Sequence, residues 1–304
     1  MSREKIEKKD SYIFEWILVT LVIITICALS YESYTQKYIP DRSILSFLHR
    51  LGYLKYYPVI YQPSKGIWHP IGWTGSGMMV VMMLYSVRKR VGMFRSSGLL
   101  RNWLSAHMFL GIMGPVLVTF HTTFKFNGII ATSFWAMITT MVFGILGRYI
   151  YIQIPRSLAG AELRVQDIER MIQAIDTRLG EFSKGVNVAD LSRVIDLRGM
   201  NPEDAGVIKT LVFMLRDDIL ISYRLHQLNG VLRKNHHLPW TVRRKIDFLL
   251  KKKAAFTRRK NYLSTSNKIL HYWHIFHVPL AIVMFLIMIL HICVYYLFRT
   301  THVA

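Results

Sequence analysis

The chain has 304 residues, of which 52% are apolar and only 19% charged, and its mean hydropathy is +0.26. Soluble domains carry about 25% charged residues, so the balance points to a membrane protein, and 13% aromatics with this apolar content exclude a disordered chain. Lys and Arg number 39 against 18 Asp and Glu, a net charge of +21, and the two cysteines, Cys27 and Cys293, exclude a four-cysteine zinc site, a cysteine-ligated iron–sulfur cluster and a dense disulfide framework.

A hydrocarbon core of about 30 Å takes roughly 20 apolar residues in a helix. In chain order, five stretches approach that length: 12–29, 67–85, 102–124, 126–147 and 270–298. The first carries Glu15 near its start, and the last three carry no Asp, Glu, Lys or Arg. Arg3, Lys5, Lys8, Lys9 and the string Ala28-Leu29-Ser30 have marks of a secretory leader. The acids Glu4, Glu7 and Asp10 and the length of the apolar run favour a retained anchor. Basic residues set the orientation. With five spans, 31 of them fall on one side and 7 on the other, and Arg148 sits at the inner end of the fourth span. The expected topology has a cytoplasmic N-terminus and an outer C-terminus, in a bacterial cytoplasmic (inner) membrane. Five basic residues between 34 and 66 run against this pattern.

The expected organisation is all-α: spans one to four over 1–154, a basic helical cytoplasmic segment over 155–269, and a fifth span with a short outer tail over 270–304. Within the inner segment Ile168, Met171, Ile172, Ile175 and Leu179 recur at helical spacing. Asn201-Pro202-Glu203-Asp204 reads as a helix start, with a cap residue, Pro in the first turn and acids at the positive end. That helix continues from Leu211 to Leu228, with Asn229-Gly230 as an interruption, and a third helical run covers Thr241 to Tyr262. The segment holds 22 basic and 12 acidic residues. The positive-inside rule with anionic headgroups accounts for this first, and docking of an acidic soluble protein second. Nucleic-acid binding is set aside, because the basic clusters adjoin membrane spans and no recognition motif is present.

Four of the twelve histidines fall into two pairs fourteen positions apart, His107 with His121 and His277 with His291. Fourteen residues make about 3.9 turns, so each pair lies on one face of its helix, about 21 Å apart along the axis. With one span between them, the third and fifth spans run parallel. His107 is then level with His277 on the inner side, and His121 with His291 on the outer side. Haem iron accepts axial imidazoles and leaves apolar porphyrin faces to the helices. Gly111 and Gly114, one and two turns after His107, would let a flat macrocycle approach, and Pro115 is placed to kink the helix between the levels. The competing reading of the histidines is interhelical hydrogen bonding or a polar cavity. His271 and His274 fall on the wrong face to align with His291 and read as interfacial. His69 reads as interfacial or as part of an outer quinone site, and His49, His226, His236, His237 and His302 as solvated. Arg101, Arg148 and Arg156 on the inner side, with Lys125 and Arg299 on the outer side, are candidate propionate partners.

The stretches HMFLGIMGPVLVTFH and HVPLAIVMFLIMILH resemble the di-haem b-type membrane cytochromes. The two pairs with thirteen residues between their members are similar to the cytochrome b family. Ligands on spans three and five, with a cytoplasmic N-terminus, are similar to the ferric-reductase-like transmembrane family. The resemblance implies about five transmembrane helices forming a haem-binding bundle, with two haem b groups on His107/His277 and His121/His291, flanked by Gly111, Gly114 and Arg148. It implies electron transfer across the membrane between a soluble or peripheral redox protein at the cytoplasmic face and a quinone or outer-side partner, with membrane lipid as surroundings. No Gly-x-Gly-x-x-Gly string marks a nucleotide site, so another chain would supply or remove electrons. The chain then reads as the cytochrome b subunit of an oxidoreductase complex. The alternatives are a ferric-reductase-like reductase of an external acceptor and a haem-free anchor that recruits a partner.

Overall fold

The structure, a computed structural model, describes residues 3–55, 61–91, 98, 100–154, 164–182, 206–234 and 239–301. Among them every regular element is a helix. They are α1 (Arg3–Tyr38), α2 (Ile44–Arg50), α3 (Trp68–Met82), α4 (Leu84–Arg90), α5 (Leu100–His121), α6 (Ile129–Gln153), α7 (Val165–Glu181), α8 (Val207–Lys234) and α9 (Trp240–Thr301), with a short 3-10 turn at Pro40–Arg42. Four helices are long and apolar enough to cross a membrane: Phe14–Tyr38 in α1, all of α5, Ala131–Gln153 in α6 and Trp240–Leu297 in α9.

The stretch expected as the second span differs. It is broken at Met83 into α3 and α4, so neither piece has the length of the other four. The break follows the β-branched pair Val80-Val81, residues of modest helix propensity. The third helical run and the fifth span, expected as separate elements, form one helix, because no Gly or Pro lies between Thr241 and His277. Pro279 is carried inside it. Asn229-Gly230 likewise stays inside α8. Residues 201–205, where the helix start was expected, lie outside the described residues.

The chain divides into two compact units, residues 1–145 with 276–304, and residues 146–275. In the first, α3 packs along α5 in antiparallel sense. Trp68 is beside His121 at one end, Gly75 beside Gly114 in the middle, and Met82 beside His107 at the other end. Glycines at the crossing let the backbones come close: a Cβ on Gly75 would stand 2.8 Å from the Gly114 carbonyl oxygen. Met79, Phe134, Met137 and Met284, from α3, α6 and α9, form the core of this unit. On α1, Trp16, Ile17, Ile23 and Ile24 are exposed, and nothing in its most apolar window is buried. That surface contacts lipid. Glu15, an acid inside this apolar helix, is paired with Arg101 at 3.4 Å.

In the second unit α7, α8 and the first part of α9 close around Ile175, Leu179, Leu225, Ile246, Leu249, Leu250 and Ala254. Of the α7 stripe, Ile168, Ile175 and Leu179 are buried, whereas Met171 is exposed. Three basic residues of α9 bind acids on the neighbouring helices: Lys253 with Asp176 at 2.5 Å, Lys260 with Glu169 at 2.6 Å, and Arg258 with Asp218.

Candidate cofactor-binding site

His107 lies two turns into α5 and His121 is its last residue, and each is held by a main-chain oxygen of α3. His107 Nδ1 lies 2.9 Å from the Met82 carbonyl oxygen, and His121 Nδ1 lies 2.8 Å from that of Trp68. A carbonyl only accepts, so Nδ1 carries the proton in both rings, and a neutral ring so bonded keeps its lone pair at Nε2. This is the tautomer a metal-ligating imidazole needs when its other nitrogen is tied to a backbone carbonyl.

With the level of His107 labelled inner and that of His121 outer, after the topology expected from the sequence, the inner acceptor arises from the break in the helix. In an unbroken helix the Ser86 amide would donate to Met82. Here it donates to Met83 at 2.9 Å, and the Met82 carbonyl is left to His107. The outer acceptor depends on Gly72, one turn after Trp68. A Cβ there would stand 2.5 Å from His121 Nδ1 and 2.6 Å from Cγ, so the absence of a side chain makes room for the ring.

Each histidine of α5 shares a cavity with one of α9. His121 and His291 line an outer cavity of about 250 Å³. His107 and His277 line an inner one of about 40 Å³. Met79, Met137 and Met284 line both, and so stand between the two levels. Gly111 lines the inner cavity, where a Cβ would come 3.3 Å from Met82 Sδ. Gly144 of α6 lines it too, 3.7 Å from His277 Cε1 by the same measure. Gly114 is placed otherwise: it packs on Gly75 and Met79 of α3 and serves the helix crossing.

His69 lines the outer cavity, its ring 6.4 Å from that of His121 and 5.4 Å from that of Tyr295. Trp73 Nε1 donates to its Nε2 at 3.2 Å, which occupies that lone pair. Lys125 also reaches the outer cavity. Arg101 is paired with Glu15. Arg148 belongs to the second unit, where its guanidinium lies over the Tyr151 ring at 5.8 Å, and it lines neither cavity. His271 and His274 are exposed in that same unit, as is His226. Arg156, His236, His237 and His302 lie outside the described residues, and so does the side chain of Arg299.

Trp68, Gly72, Met82 and Gly144 were not anticipated from the sequence. Two of them act through a carbonyl and two through an absent side chain, and neither role has a letter of its own. Among the described residues no three of His, Cys, Asp and Glu converge as a metal-ion cluster. No family model, curated protein or solved structure matches the chain.

Proposed function

We propose that this chain is the di-haem cytochrome b subunit of a membrane oxidoreductase. It carries electrons between a redox partner at the cytoplasmic face and a quinone or a partner at the outer face. The observation that carries the reading is the pairing of four imidazoles, two by two, in cavities at two levels of α5, with Nδ1 of both α5 rings against a carbonyl oxygen of α3.

The donor set suits the group. His107 and His277 would hold the inner haem, and His121 and His291 the outer one. Gly111 and Gly144 turn no side chain towards the inner level. Ligand pockets usually measure about 300–1,000 Å³. The outer cavity approaches that range, while the inner one is filled by Met82, Met108, Met141 and Met284. Unbranched thioethers refit to a new neighbour at low cost, so these side chains yield to a planar ligand. When bound, each haem supplies a one-electron Fe(III)/Fe(II) couple. The chain would hold the group through its imidazole nitrogens, exclude water with Met79, Phe134, Met137 and Met284, and offer Lys125 to a propionate at the outer level.

The proposed topology has five crossings, with the N-terminus in the cytoplasm of a bacterial cell, and α3 supports the fifth crossing. Trp68 and Met82 are fourteen residues apart, as are His107 and His121, and they meet those histidines end to end. Whatever depth α5 covers between its histidines, α3 covers alongside it.

The test is an oxidised-minus-reduced absorption spectrum of the detergent-purified chain, with haem quantified. Two b-type haems per chain are expected. No haem in well-folded protein from haem-replete cells would overturn the reading and leave a membrane anchor.

A further inference from the structure

His121 is the last residue of α5 and is followed by Thr123 and Phe124 at positive φ, so nothing of its own helix holds it from beyond. Its acceptor, the Trp68 carbonyl, is the first carbonyl of α3, a helix that starts without a side-chain cap. Two helix ends of this kind fray unless another group ties them.

A buried polar chain supplies the tie. Glu32, near the end of α1, is 4% exposed. Its Oε2 accepts from the Ile44 amide at 2.7 Å, and its Oε1 from Gln36 Nε2 at 2.8 Å and the Leu45 amide at 3.4 Å. A carboxylate only accepts, so Gln36 must present its NH2 group to it and its oxygen to the other side. That oxygen accepts from the indole nitrogen of Trp68 at 2.8 Å, a group that only donates. A flipped Gln36 would set donor against donor and acceptor against acceptor, in a place too buried for water to repair. The indole is fully buried and stands edge-on to Tyr61. The pinned ring anchors the first residue of α3, whose carbonyl oxygen lies 2.8 Å from His121 Nδ1.

We infer that Glu32 and Gln36 are positioning residues for the outer histidine, acting through Trp68 to fix the tautomer and ring orientation of His121. The effect on haem rests on the proposed function above, whereas the effect on the imidazole does not.

The test compares Glu32→Gln and Trp68→Phe with the parent, using the full chain in lipid nanodiscs. Thr35→Ala is the control, since Thr35 is equally buried on the same helix but bonds only the carbonyls of Tyr31 and Glu32. Nitrogen-15 histidine spectra, with His121 assigned by the signal lost in His121→Gln, report the tautomer without haem. The parent and Thr35→Ala should show Nδ1–H at His121, and the two relay variants a mixture. Outer-haem affinity should fall about ten-fold in the relay variants, the low end for outer-shell partners of a ligand, with the inner haem unchanged. An unaltered His121 tautomer in both relay variants overturns the inference, and so does an equal change in Thr35→Ala. If the parent binds no haem the electron-transfer reading falls, and the histidine spectra still decide the relay.

Discussion

The His121 imidazole lies against the bare Cα of Gly72, and on the proposed reading that surface sets the outer haem level. Adding a single methyl there puts Cβ 2.5 Å from His121 Nδ1, closer than any non-bonded contact allows. The ring must leave its place beside α3 and lose the Trp68 carbonyl. Gly72→Ala is therefore expected to lower haem content from two per chain to one, with the inner redox step intact. Retention of both haems would show that His121 is not held as described. His277→Ala tests the other level: loss of the inner haem with at least part of the outer one retained is expected, and equal retention of both would break the pairing of His107 with His277. The four histidines were visible in the sequence because imidazole is a rare, ionisable letter inside an apolar helix and fourteen-residue spacing has a geometric meaning. Their acceptors were not visible. Every residue has a carbonyl, and only the fold decides that those of Met82 and Trp68 are the ones turned to a ring. Gly114 shows the same limit from the other side. A glycine two turns after a histidine, on the same face, suggests room for a ligand, yet its space is taken by Gly75 and Met79.

The glycine crossing makes α3 and α5 act as one element. At Gly114 a Cβ would meet Met79 Cγ at 2.8 Å and the Gly75 carbonyl oxygen at 3.0 Å. The backbone oxygen cannot rotate away, so the helices must part. Overpacking of this kind costs about 1–3 kcal/mol. Because α3 carries the acceptors for both histidines of α5, Gly114→Ala is expected to weaken both haem levels together and to lower the thermal midpoint in detergent. Gly77→Ala, where a Cβ meets nothing within 4 Å, serves as the neutral companion. Loss at one level alone would mean that the two acceptors move independently. Elements were legible in the sequence where burial is periodic. The α7 stripe identified Ile168, Ile175 and Leu179 as core, and the missing Met171 lies at the edge of that face. They were illegible where hydropathy changes but helix geometry does not. The polar run around Lys251 and the apolar run ending near Leu297 look like two elements, yet backbone hydrogen bonding passes through both. Conversely, the apolar run 67–85 hid the break at Met83, because Val80, Val81, Met82 and Met83 are equally apolar on either side of it.

Charge, taken over the whole chain, is asymmetric for two different reasons. In the second unit, Lys253, Arg258 and Lys260 are tied to Asp176, Asp218 and Glu169 and serve the packing of three helices. These pairs cancel, so the whole net charge of +21 is left to set orientation in the membrane or to meet anionic headgroups and acidic partners. Orientation then depends on the number of crossings. Four crossings would leave both chain ends on one side, and five put them on opposite sides. The proposed fifth crossing is α3 with α4, from Trp68 to Arg90, a path of about 34 Å at 1.5 Å per residue, enough for the hydrocarbon core despite its break. Arg88, Lys89 and Arg90 close its end, as expected for a cytoplasmic border. Fusions expressed in bacterial cells decide between the two. A reporter active only in the cytoplasm, joined before residue 1, should be active, and the same reporter joined after residue 304 should be silent, while one active only outside should show the reverse. Placed after Lys65, which precedes α3, the outside reporter should work, and placed after Arg90 it should not. A cytoplasmic signal at both chain ends would remove α3 as a crossing. The two histidine levels would then no longer be matched to the two faces of the membrane, and electron passage across it would need another route.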